Sequence, residues 1–249
     1  KRLKLIKAKL NKPVILFPGS SNQISQSADA ILFMSLLSGR NPKYLIDEQL
    51  KGVKLINKYD LPVISTGYLL IGTKSQSGSS NLAIFSSITH LGSNPPLLSV
   101  VFRPVTDVPR NTYENIKETK QFTVNHVYSD IIKKAHHTSA KYDKNISEFE
   151  VVNLEEEYKN NWYAPFVKGA PIQIGLTFLE EYVIKSNNCV QLIGEIKDLF
   201  VKKELIEDDG FIDLSKGEIA AINGLDGYVI PKNKLRFGYQ RIEKSHLKK

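Results

Sequence analysis

Three polar clusters in this chain have residue types suited to binding chemistry. Ser86, Ser87 and Thr89 follow an apolar run in the stretch NLAIFSSIT. Their hydroxyls and main-chain amides can bond the polar edge of a ligand, or they can cap their own backbone. Arg110, Asn111 and Thr112 stand just before YENIKE, which reads as a short helix. A helix start offers free amides and a positive dipole, Thr112 or Asn111 can cap it, and a guanidinium adds a bidentate fork that suits phosphate. Arg103, in FRP at a strand end, is a second phosphate candidate. The third cluster is His136, His137, Ser139 and Lys141. Adjacent helical residues point about 100° apart, so the His–His pair is poorly placed to share one metal. No Cys or carboxylate at ligand spacing supports a metal, and none is expected.

Several function classes are disfavoured. No G-x-G-x-x-G follows a strand, so there is no nucleotide-binding fingerprint of that type. No nucleophile–base constellation is visible. Cys189 is the single cysteine, which rules out an internal disulfide and fits a reducing, cytoplasmic setting. His90 and His126 read as packing or hydrogen-bonding residues. Trp162, Tyr163 and Phe166 read either as interface aromatics or as ordinary core and loop residues.

The elements that must position these residues change character along the chain. Residues 1–11 place Leu3, Ile6 and Leu10 on one helical face, opposite lysines. Apolar runs at 13–17, 28–34 and 61–66 alternate with helical or loop segments, as in a parallel sheet covered by helices. Near residues 67–73 the rhythm shifts to strands joined by turns. LLIGTKS, NLAIFSS, PPLLSVVF, FTVNHV, and the long runs 172–184 and 189–201 suggest a small antiparallel barrel. Helices are expected over 112–120 and, longer, over 129–142. The net charge of +8 is concentrated early: residues 1–72 hold 11 Lys and Arg against 4 Asp and Glu. Because those lysines alternate with aliphatics, the block reads as a solvated helix face rather than a nucleic-acid surface. Nothing resembles a membrane span or a secretory leader.

The motifs N-L-A-x-F-S-S, S-N-P-P-L, R-N-T-x-E-N-I and T-V-N-H, in that order, resemble the flavin reductase-like family of FMN-binding split barrels over about residues 69–243. The resemblance implies bound FMN and a homodimer that completes the flavin pocket across subunits. It also implies electron transfer between a small-molecule donor and acceptor. NAD(P)H, if used, would be a transient co-substrate stacked on the flavin. It places Ser86, Ser87, Thr89, Arg103, Arg110, Asn111 and Thr112 around the cofactor, and Ser139 and Lys141 at the flavin edge or its phosphate. The cofactor then carries the reaction, so no catalytic side chain is singled out.

The motif FPGSSNQIS and its flanks, about residues 1–71, resemble geranylgeranylglyceryl phosphate synthase, a TIM-barrel prenyltransferase. Gly19-Ser20-Ser21, Asp29 and Tyr68 fall in this part. Only about three of eight strands would be present, so the barrel could not close. The expectation is therefore an incomplete α/β, TIM-barrel-like fragment over 1–68 and a mainly β split barrel with some helix over 69–249. The function expected is that of an FMN-binding flavin reductase-like oxidoreductase. The alternatives are a truncated prenyltransferase and a non-enzymatic FMN electron carrier.

Overall fold

A computed structural model describes residues 69–106, 108–223 and 225–237. The expectations for the N-terminal helix, the apolar runs, Gly19, Asp29, Tyr68 and the α/β fragment lie outside these residues. Seven strands form one antiparallel sheet: β1 (Leu69–Lys74), β2 (Ser80–Phe85), β3 (Ile88–Ser93), β4 (Pro96–Phe102), β5 (Gln121–His126), β8 (Ile172–Ile184) and β9 (Cys189–Val201). Two short ladders complete the β structure: β6 (Glu156–Glu157) with β7 (Phe166–Val167), and β10 (Ala221–Asn223) with β11 (Gly227–Val229).

The strand order is β2-β1-β5-β8-β9-β4-β3. The edge strands β2 and β3 are consecutive in sequence, joined only by Ser86 and Ser87. Six interstrand spacings of about 4.8 Å would put the edges of a flat sheet about 29 Å apart. A two-residue link spans roughly 10 Å. The sheet must therefore curl until its edges meet, and because β2 and β3 do not pair, the barrel stays split along that seam.

The β8–β9 hairpin is the spine. Its proximal half pairs with β5 through Gln173–Thr177, and its distal half pairs with β4 through Val190–Glu195. Inside the curl lie Leu69, Ile71, Leu98, Val100, Phe122, Val124, Ile174, Leu176 and Leu192. Outside it, Leu70, Leu82, Val127, Ala135, Phe149 and Val167 form a second cluster. β1 thus alternates Leu69 and Ile71 inward with Leu70 outward, all fully buried. A continuous apolar run here marks a strand covered on both faces, within an antiparallel sheet.

Helix α1 (Asn111–Thr119) packs on β1 and β2, one residue earlier than expected. The expected long helix after β5 is shorter: a 3-10 turn at Ser129–Ile131 and α2 (Ile132–His137), then a turn. Helix α3 (Glu148–Val151) and strand β3 had no expectation. Glu148 accepts a hydrogen bond from Leu82 N at 2.9 Å, which satisfies an amide of edge strand β2. Segment 207–213 is pinned by the C-terminal stretch, where Lys234 pairs with Glu207 and Asp213, and Arg236 with Asp209. Among the described residues no helix is long and apolar enough to cross a membrane.

The segment around Pro165 straps across β1 and β5. A Cβ on Gly72 would collide with the Pro165 carbonyl and the Thr123 hydroxyl. Thr123 Oγ1 already donates to that carbonyl at 2.6 Å, so the strap has little room to retreat. Gly72→Ala is expected to cost about 1–3 kcal/mol, seen as a melting temperature lower by several degrees. An unchanged melting curve would mean that the strap is loose.

Candidate functional site

Ser86 and Ser87 form the bend between β2 and β3, and Thr89 follows on β3. Ser87 is partly buried and committed to β4: Val101 N donates to its carbonyl at 3.0 Å, and its Oγ donates to the Val101 carbonyl at 2.7 Å. The backbone-capping role therefore holds for this hydroxyl, whose lone pairs remain as acceptors. Ser86 is exposed in the bend, and Thr89 is exposed on β3 opposite Ser99.

Aromatic packing ties this bend to α1. Phe85, at the end of β2, meets Phe102 edge-on at 5.1 Å, and Phe102 meets Tyr113 at 5.6 Å. Arg103 follows Phe102 directly and is exposed. Tyr113 Oη donates to the Glu181 carboxylate at 3.1 Å, and Lys117 pairs with the same carboxylate at 2.8 Å. Burial, then the Glu181 hydrogen bond and charge, push the Tyr113 phenol up to about 12, so it remains a proton donor. Helix α1 is thereby fixed between the seam and the distal part of β8.

The start of α1 differs from the capping expectation. Arg110, not Thr112 or Asn111, occupies the N-cap position, and no side chain caps the helix. Thr112 is buried and its hydroxyl accepts from Asn81 Nδ2 at 3.0 Å. Asn111 is the first helical residue and partly exposed. Arg110 is partly buried, and its Nε is shielded from solvent without a hydrogen-bond partner among the described residues. An uncapped helix start beside a guanidinium with an unused buried donor has the chemistry to hold an anion.

Ser139 and Lys141 are exposed on the loop after α2. That loop is anchored beside α1 and β2, where Lys144 pairs with Glu114 in the first turn of α1 at 2.8 Å and Ser147 bonds Ser80 at 2.8 Å. The anchors bring the loop to the site, while the two side chains themselves face solvent. The adjacent histidines diverge: His136 Nδ1 bonds Tyr228 at 2.8 Å and His137 Nδ1 bonds Tyr142 at 2.7 Å. Trp162 and Phe166 are core residues. The Trp162 indole donates to Asp198 at 2.7 Å, and Phe166 packs edge-on against Phe200 at 5.4 Å.

Sequence reasoning missed Thr73, Asn81, Asn115 and Glu148, all polar and at most 6% exposed. Asn81 and Asn115 lie inside the motifs N-L-A-x-F-S-S and R-N-T-x-E-N-I, so a signal was present.

His126 is buried at the end of β5 with Nδ1 unpartnered among the described residues, and its ring bonds the Ile172 backbone. Burial lowers its pKa from 6.5 to about 4. Above about pH 6.5 the ring is neutral folded and unfolded, and costs nothing. Below that, the unfolded chain takes up a proton that the folded chain refuses, so stability falls until about pH 4. The loss amounts to roughly 3 kcal/mol. Asp213, whose burial opposes ionisation but which Lys234 and Ser215 hold at about 2, loses its contribution only at lower pH. Urea unfolding of wild type and His126→Gln should show this slope between pH 6.5 and 4 in the wild type alone.

The family model described as flavin reductase like domain matches residues 61–213. A second model, the PcrB family, matches residues 1–84, so the two overlap over 61–84. The chain is similar to a putative flavin reductase with a split barrel domain from Shewanella frigidimarina. The identity is 42%, the coverage 70% of this chain and 86% of that one, and the TM-score 0.67. Flavoredoxin of Desulfovibrio vulgaris shares the fold at 23% identity, with 70% and 91% covered and a TM-score of 0.61. The N-terminal part is 58% identical over 66 residues to geranylgeranylglyceryl phosphate synthase of Flavobacterium johnsoniae, covering 26% of this chain and 27% of that enzyme. A second such synthase, from Ignicoccus hospitalis, is 50% identical over 78 residues, covering 31% and 32%. The chain thus spans about a quarter to a third of the length of these curated relatives.

Proposed function

This chain belongs to the flavin reductase-like family, and we propose that it is an FMN-binding oxidoreductase passing electrons from NAD(P)H or another small donor to a small acceptor. The observation that carries the reading is the uncapped start of α1 beside Arg110, whose buried Nε has no hydrogen-bond partner among the described residues. Arg110, Asn111 and the first amides of α1 hold the phosphate. Arg103 supplies a further positive charge at the outer end of β4. Ser86, Ser87 and Thr89 offer hydroxyls and amides to the polar edge of the ring or to its ribityl chain. Ser139 and Lys141 approach from the loop anchored at Glu114. When bound, FMN supplies hydride and single-electron transfer. The protein's own part is to bind, orient and shield it.

The organisation that fits this reading is a flavin-binding barrel from about residue 69 onward, preceded by a synthase-like segment. That segment corresponds to only about a quarter to a third of its relatives, so prenyl transfer is left out of the proposal. The barrel acts as a homodimer. Leu179, Tyr182 and Val183 are exposed on distal β8, beyond Thr177, the last residue of β8 that pairs with β5 among the described residues, and a second copy covers them. Val183→Asp should then shift the molecular mass measured by light scattering from dimer to monomer.

The primary test is the visible spectrum of purified protein before and after FMN addition. Flavin absorbance that co-elutes with the chain is expected, with NADH or NADPH oxidation following. A colourless protein that does not retain FMN overturns the proposal. A yellow protein inert to both nicotinamides leaves an electron carrier instead. Arg110→Ala should weaken FMN by about 10- to 100-fold while affecting riboflavin little.

A further inference from the structure

Four buried polar side chains join α1 to the β1–β2 hairpin. Thr73 on β1 and Asn81 on β2 are cross-strand partners. Thr112 and Asn115 stand three residues apart on α1. Asn81 Nδ2 donates to Thr112 Oγ1 at 3.0 Å, and Asn115 Nδ2 donates to Thr73 Oγ1 at 3.1 Å. The spacings match, because helix residues three apart have Cβ atoms about 5–6 Å apart and directly opposed strand residues about 4.5–5.5 Å. Two amide–hydroxyl bonds therefore connect a strand pair and a helix pair as a square. All four corners are at most 6% exposed.

An apolar contact would hold the helix with less directional control, since apolar packing tolerates sliding and rotation. Two hydrogen bonds donated in opposite directions, one from the strand and one from the helix, do not, because each weakens steeply when misaligned. The square also carries a cost: Asn115 Oδ1 is buried without a hydrogen-bond partner among the described residues. Its upper corner, Thr112, is two residues from Arg110, in the turn whose amides are uncapped.

We infer that Thr73, Asn81, Thr112 and Asn115 are positioning residues that set the register and direction of the α1 start, and thereby its grip on a phosphate group. The inference rests on the assignment of FMN phosphate to that helix start. It gives the two motif asparagines, Asn81 and Asn115, a part in placing the helix start through their bonds to Thr112 and Thr73.

The test compares FMN with riboflavin, which lacks the phosphate, by flavin-fluorescence titration of the full chain. The variants are Thr73→Val and Asn115→Ala, with Thr73→Ser as the conservative control. FMN affinity should fall about tenfold in the first two, with riboflavin changed less than about twofold and Thr73→Ser near wild type. Riboflavin binding also certifies that each variant is folded. If Thr73→Val does not fold, Asn81→Ser takes its place, from the adjacent corner and the other hydrogen bond. Variants that lose stability yet keep the wild-type ratio of FMN to riboflavin affinity overturn the inference and leave the square merely structural. A wild type that binds both flavins alike overturns the phosphate assignment itself, and the inference with it.

Discussion

Ser86 and Ser87 connect strands that lie at opposite edges of a seven-stranded sheet. No flat arrangement can satisfy a link that short, so the connection forces the sheet to curl. Curling creates the interior that Phe122, Leu176 and Leu192 fill, and it brings the end of β4 and the start of α1 to the same place as the bend. Ser87 bonds Val101 on both its carbonyl and its hydroxyl, which fixes the turn against β4. The same few residues thus close the barrel and hold the bend between β2 and β3 against β4.

The seam also has to be kept from pairing elsewhere. Open strand edges invite association, and β2 is screened by polar groups aimed at its backbone and side chains. Glu148 takes the Leu82 amide, while Ser147 and Glu156 bond Ser80. Burial raises the Glu148 pKa, and the Leu82 amide opposes that shift. The arrangement spends a buried carboxyl on an edge amide. In return it anchors the loop after α2 beside the helix start, so edge protection and site construction share one set of contacts.

The opening strand explains why two different proteins can be read into residues 67–75. An uninterrupted LLI suits a parallel-sheet strand buried on both faces. It equally suits β1, whose Leu69 and Ile71 enter the barrel while Leu70 lies under the second cluster. The two family matches overlap over 61–84, a stretch that includes this strand.

Local pattern was enough for the long hairpin, where 172–184 and 189–201 carry β-rich runs around a Lys-Ser-Asn-Asn turn, and for α1, whose polar start and apolar Ile116 announce a short helix. The motifs around Ser86 and Arg110 fall at the bend between β2 and β3 and at the start of α1. β3 was not legible in the sequence, because ITHLGS has weak alternation and its register against the neighbouring β4 is broken by an irregularity between His90 and Gly92. Nor could the sequence show that α2 stops at His137, where the chain turns toward its anchors at Glu114 and Ser80. The helix cap was misread because Thr112 looked like a local capping residue. Its hydroxyl is instead taken by Asn81, 31 positions away. Local chemistry decides which bonds a side chain can make. Only tertiary packing decides which of them it makes, because the competing partner arrives from a distant part of the chain.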